Sequence, residues 1–198
     1  MADSATGVDG QVATRLRELR AARGLSLEAL AQCSGVSRSM LSVIERGESS
    51  ATAALLAKVT AALGVTLASL FEPGPSSASV SSPLARRVDQ PRWRDPESGY
   101  QRRSVSPPGR AIDAHIVEVE FPPGARVAFE NGPRMARVHQ QIWLLDGVMN
   151  VTVGDTRYRL ERGDCLAMTL EGPTMFHNPT KRRARYAVIV SSPIREEQ

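Results

Sequence analysis

The chain is poor in the residues that staple, coordinate or span. It has two cysteines, Cys33 and Cys165, in 198 residues, too few for a disulfide framework. Both sit in apolar stretches, where a buried free thiol is the expectation. No apolar run reaches the roughly 18 residues of a membrane-crossing helix. The opening stretch, MADSATGVDG, lacks the basic patch and apolar core of a secretory leader and reads as a short flexible tail. A reducing cytoplasm is the expected compartment, with no membrane partner. There is no internal repeat. The charge imbalance is small, a formal net charge of +4 with a sequence pI near 9.6; it permits a polyanionic partner without demonstrating one.

What is present changes character near residue 73. Before it lie segments rich in Leu, Ala, Arg and Glu at helical spacing. Then comes PGPSSASVSSP, residues 73–83, small, polar and uncharged, which reads as a flexible linker. Beyond it, Pro and Gly punctuate short Val- and Ile-rich alternating runs, as in an all-β domain. The reading is two domains: an all-α five-helix bundle over 9–72 and an all-β barrel over 84–196.

In the first half, Val12, Leu16 and Leu19 recur at i, i+4, i+7 and give a first helix an apolar stripe that ends at Gly24. Ser26 stands where a cap belongs, before a second helix over 27–33. Gly35 occupies a turn, Ser37 caps a third helix over 38–46, and Gly47 stops it. Thr52 caps a fourth over 53–63, and a last turn over 67–71 closes the bundle. Two short helices crossing steeply need a small residue at the contact (Ala31), a glycine in a short turn (Gly35) and apolar anchors (Leu30, Val36, Leu41, Ile44). All are in register, as in a helix-turn-helix.

The runs LAxxxGVS and SxxxLSxIERG resemble the helix-turn-helix domain of the repressor-like family of bacterial regulators, the XRE family, over roughly residues 9–72. The resemblance implies that the third helix enters the major groove N-terminus first. Arg38 and Ser39 then face base edges, with Ser42 and Val43 one turn on. Arg38 is placed to donate two hydrogen bonds to a guanine edge, and Val43 to touch a thymine methyl. Ser26 and Ser37 cap helices whose N-termini suit backbone phosphates. Arg46, Arg15 and Lys58 are further phosphate candidates, with solvated surface charge as the alternative; Glu45 is expected to hold Arg46 or a nearby loop. The domain is close to charge-balanced, so one copy should touch few phosphates. A homodimer reading two half-sites of a palindromic operator in double-stranded DNA, ~34 Å apart, repairs this and assigns dimerisation to the second half.

That half alternates from residue 111 to 121 and continues in strands of four to eight residues separated by Gly-Asp and Pro-Gly turns, suggesting a small antiparallel barrel or jelly roll. Trp93 reads as part of an ordered β-segment that packs on its own barrel or across a dimer seam. The order of turns resembles a cupin barrel, most clearly over 122–179, with Gly124, Gly147, Gly163 and Asn178 matching the family signature. The family's metal ligands do not match: Glu130 and Gly132 stand where two histidines belong, Gln140 where the glutamate belongs and Thr174 where the last histidine belongs. His139 and His177 adjoin Gln140 and Asn178 and so face the other way along a strand, and His115 reads as a half-buried core histidine. No metal and no cofactor are expected.

What remains is either a small-molecule pocket or a filled core. The inward residues would be Gln140, Ile142, Leu144, Met168, Leu170, Thr174, Phe176 and Asn178, apolar with a few hydrogen-bonding groups. Arg126 and Glu130 lie on the loop side, where they can orient a polar ligand; Arg102 and Arg103 can meet an anionic one. The joint resemblance is to helix-turn-helix regulators carrying a C-terminal cupin sensor. It implies a sequence-specific regulator, not an enzyme, whose β domain dimerises it and binds an effector. The alternative is a helix-turn-helix–cupin metalloenzyme of the mononuclear non-haem iron oxygenase or epoxidase type.

Overall fold

In the computed structural model, hydroxyl caps set where the helices begin. The structure describes residues 3–71, 82–108, 114–130 and 138–191, residues 3–6 by backbone alone. Helix α1 (Asp3–Ala22) is followed by α2 (Leu27–Ser34), α3 (Arg38–Glu45), α4 (Ala53–Ala62) and a short 3₁₀ helix, η1 (Leu67–Phe71). The side chains of Ser26, Ser37 and Thr52 each accept a backbone N–H three residues on, from Ala29, Met40 and Leu55, satisfying donors that have no partner inside the helix. Gly35 ends α2 at φ 68° and donates its N–H to the Ala31 carbonyl, a left-handed conformation that costs glycine least. Two expectations change here. The fifth helix is a single 3₁₀ turn, so the bundle has four α-helices. The supposed flexible tail is helical from Asp3.

The β half follows as β1 (Arg92–Arg94), β2 (Gln101–Ser104), β3 (Ala114–Phe121), β4 (Arg126–Phe129), β5 (His139–Asp146), β6 (Val148–Val153), β7 (Thr156–Glu161), β8 (Cys165–Thr169), β9 (Thr174–His177) and β10 (Ala184–Ser191). They form two antiparallel sheets, a six-stranded one ordered β1-β2-β3-β10-β5-β8 and a four-stranded one ordered β4-β9-β6-β7. Of the expected barrel or jelly roll, the described residues form two antiparallel sheets with no closed barrel. Alternation sorts the faces: Val117, Val119 and Phe121 of β3 and Ile142 and Leu144 of β5 are buried, while Ile116 and Trp143 are exposed. Gly147 links β5 to β6 at φ 86°, and a Cβ there would stand 2.9 Å from Cα of Ala184, so strain and backbone overlap together reserve the position for glycine. The expected linker lies outside the described residues up to residue 81, as do residues 111–113 and Gly132.

The two halves do not sit apart as the linker suggested. Their apolar interiors merge into one buried cluster running from Val12 to Val190. A row of rings crosses the joint: Phe71 to Trp93 at 5.7 Å, Trp93 to Tyr100 at 5.9 Å and Tyr100 to Phe121 at 5.5 Å between centroids. Each such pair contributes about 0.5–1.5 kcal/mol beyond the area it buries. Trp93 thus packs on the helical half. The buried Asp95, just after β1, accepts a hydrogen bond from the Ala53 N–H at 2.8 Å, placing a carboxylate of the β half on the first N–H of α4, where the helix dipole favours it. Its second oxygen is held by the Ser98 N–H and hydroxyl. Lys58 of α4 pairs with Glu130 at 2.8 Å across the same joint; both are partly exposed, so this pair adds little stability.

Candidate nucleic-acid interface and interdomain cavity

Leu41 and Ile44 anchor the underside of α3 and are buried, as is Glu45. Glu45 is held differently from expected. Its two carboxylate oxygens accept hydrogen bonds from Nε and Nη2 of Arg20 at 2.6 and 2.8 Å, and its carbonyl accepts one from Arg17. The acceptor raises the pKa of Arg20, opposed by partial burial. Arg20 also donates to the Leu25 carbonyl at 2.8 Å. One arginine of α1 therefore fixes both the end of α3 and the entry to α2, a fork-to-fork geometry that lysine would not reproduce.

With its underside fixed, α3 presents its first turn and outer face to solvent. The Arg38 side chain is 69% exposed, and its nearest acid, Glu28, is 4.0 Å away and equally exposed, so the guanidinium is nearly free to reorient. Ser39 is exposed, and its hydroxyl lies 3.1 Å from that of Ser37. Ser42 and Val43 are half-buried one turn on, and Ser26 is exposed at the start of α2. Met40 is exposed at 40% beside them; it was not singled out from sequence, although an apolar residue on an otherwise polar outer face was a visible signal. Two candidate phosphate contacts are occupied. Arg46 donates to both oxygens of Glu48 at 2.6 and 2.7 Å, with a further bond to Ser42. Arg15 ties α1 to η1 through the Ser69 carbonyl and pairs with Glu18.

The second feature is a cavity at the joint. It offers about 70 Å³ to water centres, room for several waters at about 10–15 Å³ each. Ala57, Thr66, Leu67 and Ala68 of the helical half form one wall; Gln140, Leu170, Thr174 and Phe176 are on the opposite side. Of the expected ligand residues, Gln140, Thr174 and Phe176 line it; Ile142, Asn178, Arg126 and Glu130 do not. Ile142 is wholly buried in the core. Asn178 is buried as a loop tie, its amide donating to the carbonyls of Phe121, Pro122 and Arg182 while its oxygen accepts from Thr180. Arg126 is exposed on β4, and Glu130 faces Lys58. Burial raises the pKa of Tyr100 and Tyr186 on the wall, with the charge of Arg102 opposing it in both.

The donors at the cupin metal positions do not fit a transition metal. Glu130 is outward and ion-paired, Gln140 offers an amide and Thr174 a hydroxyl, and among the described residues no group of three His, Cys, Asp or Glu converges. Both cysteines, expected to be buried, are exposed. Leu30 takes the inner side of α2 and leaves Cys33 outward; Leu166 and Met168 turn inward from β8 and leave Cys165 on the outer face.

His177, half-buried on β9, has its pKa lowered by burial first and then by Arg126 and Arg157. The folded protein thus resists a proton that the unfolded chain accepts near pH 6.5. Stability should fall as the pH drops from about 7 to 5, because there the unfolded state binds more protons. Melting curves across that range should show a flatter pH dependence for His177→Gln; equal slopes in variant and parent would contradict this.

Residues 16–70 match the helix-turn-helix family. A crystal structure of an HTH_3 family transcriptional regulator from Vibrio cholerae superposes with a TM-score of 0.74 at 28% identity, covering 95% of this chain and 98% of that one. The HTH-type transcriptional regulator SutR of Escherichia coli (strain K12) is 26% identical over 185 residues, 92% of this chain and 95% of that protein. The cupin domain of an XRE family regulator from Enterobacter cloacae aligns at a TM-score of 0.38 and 15% identity, over 41% of this chain and 83% of that one. No helix among the described residues is long and apolar enough to cross a membrane. Residues 16–70, with their capped and outward-facing α3, are a helix-turn-helix domain of the XRE type.

Proposed function

We propose that the chain is a sequence-specific DNA-binding transcriptional regulator that acts as a homodimer on a palindromic operator, and that its β domain, of cupin type, takes a small-molecule effector without a metal. The observation that carries the reading is the first turn of α3: Arg38 and Ser39 are exposed while Leu41, Ile44 and Glu45 lock the same helix from beneath. A helix held this way can enter the major groove with little loss of conformational freedom. The likeness to the Vibrio cholerae regulator along nearly the whole chain supports it.

The dimer follows from the need for two readers and from the outer face of the six-stranded sheet. Ile116, Trp143 and Ile189 lie there in adjacent strands, with Ile116 and Trp143 exposed at 42% and 49%. Charged residues of the same face, Glu118 and Arg185, border them, the apolar centre and polar rim of an isologous contact. The effector reading rests on the cavity, whose wall belongs partly to the DNA-binding half. A ligand there alters DNA affinity only if it favours one arrangement of the two halves over another. Selecting bound sequences from random duplex DNA tests the reading. An inverted repeat with half-sites about one helical turn apart is expected; recovery of no common sequence would refute it.

A further inference from the structure

We propose that the interdomain cavity is built for a small carboxylate with a short apolar body, and that Arg102 receives its charge. The inference rests on the effector reading above and names that effector's chemistry. Its starting point is a charge without a counter-charge. Among the described residues the wall carries one cation, Arg102, and no Asp or Glu. The neighbouring arginine shows the contrast. Arg103, paired in register with Glu118, lies on the outer face and makes an ion pair with it; Arg102, paired with Val119, lies on the inner face. Among the described residues no carboxylate pairs with Arg102.

What surrounds the guanidinium leaves it under-compensated. Its Nε is shut off from solvent with no hydrogen-bond partner. The Phe71 ring lies 5.7 Å from its Cζ, and Tyr100 shares the cavity wall with it. A ring face and a neutral hydroxyl soften a positive charge without cancelling it, and an arginine cannot discard its proton. A partly buried, unpaired charge is costly, so an anion reaching it would relieve a cost already present in the empty protein.

The remaining wall selects the rest of the ligand. Val119, Phe121, Leu170, Phe176 and Val188 offer an apolar lining, suited to an alkyl or aryl body rather than a second charge. About 70 Å³ corresponds to roughly five to seven waters, which limits the ligand to a small acid. Thr66 and, from η1, Leu67 and Ala68 also line the cavity, so the same molecule would touch both halves and change how they are held together.

The test uses the full chain with formate, acetate, pentanoate and benzoate, the neutral analogues pentanamide and benzamide, and chloride at equal ionic strength as reference. Two readouts apply: thermal stability, and the ¹⁵Nε resonance of Arg102, identified by its loss in Arg102→Lys. The carboxylates should raise the melting temperature above the chloride reference and move the Arg102 resonance, while the amides do neither. Arg102→Gln, checked for native circular dichroism, should weaken carboxylate binding at least tenfold, and Arg102→Lys should weaken it less. Amides that bind as well as their acids, or an Arg102→Gln protein within twofold of the parent, would overturn the charge assignment and leave a cavity for neutral molecules. No response to any acid or amide would overturn the charge assignment and the effector reading together.

Discussion

Arg38→Ala is expected to abolish operator recognition while leaving the fold intact. Its side chain is 69% exposed and its nearest acid is 4.0 Å away, so truncation removes no packing and leaves no buried charge. A bidentate arginine–guanine contact discriminates by about 1–3 kcal/mol. A dimer places one such contact in each half-site, so the variant should bind the selected operator roughly 30- to 10⁴-fold more weakly. Binding to random duplex should fall far less, because that affinity comes from phosphate neutralisation. Arg38→Lys should recover part of the phosphate attraction and little of the sequence preference. Fluorescence anisotropy with operator and scrambled duplexes at one salt concentration measures both. If both duplexes lose affinity equally, Arg38 contacts phosphate rather than a base.

Glu45→Ala is expected to damage the helical half more than any surface substitution. It strips Arg20 of both carboxylate bonds, at 2.6 and 2.8 Å, in a site where the Glu45 side chain is 5% and the Arg20 side chain 17% exposed. Breaking a buried pair by removing one partner typically costs about 3–5 kcal/mol. Arg20 retains some access to water, so about 3 kcal/mol is the appropriate figure, or roughly 6–12 °C in melting temperature for a chain of this length. Glu45→Gln keeps one acceptor and should lose less. The double variant Arg20→Met, Glu45→Leu should recover much of the loss, since apolar replacement of a buried pair is often neutral or better. Calorimetry of the three variants decides: if Glu45→Ala loses under about 1 kcal/mol, the pair is not a strut.

The legible parts of the molecule were the local ones. Ser26, Ser37, Thr52 and Gly35 act within a few residues of themselves, so their capping and turn roles follow from short stretches. The anchors Leu41 and Ile44 follow from helical period alone. Glu45 is different, because its partner lies 25 positions upstream and no periodicity links them. Docking of the two halves had a signal that went unread. Helix α4 carries one charged residue, Lys58, and buries Ala53, Leu56, Ala57, Val59, Thr60 and Ala61, more of its circumference than a bundle surface helix needs to cover. Such a helix is covered on both sides, and the second cover is the β half. The cavity was half legible for the same reason. Alternation placed Gln140, Thr174 and Phe176 on its wall, and Arg102 was already a candidate for an anionic ligand, whereas Leu67 and Ala68 of η1 reach the cavity only because the halves meet. Asn178 was misread because a buried amide that ties loops and one that greets a ligand look alike in sequence.

The row of rings from Phe71 to Tyr100 sets the unit of cooperation for the whole chain. Because the helices and the sandwich share one buried cluster, the reading head does not melt or move independently of the sandwich. Its rigidity is borrowed from the sandwich, so transplanting 16–70 onto another sensor would leave Phe71 and its partner Trp93 behind and α4 uncovered. The tether between the halves governs connectivity; the aromatic seam governs pose.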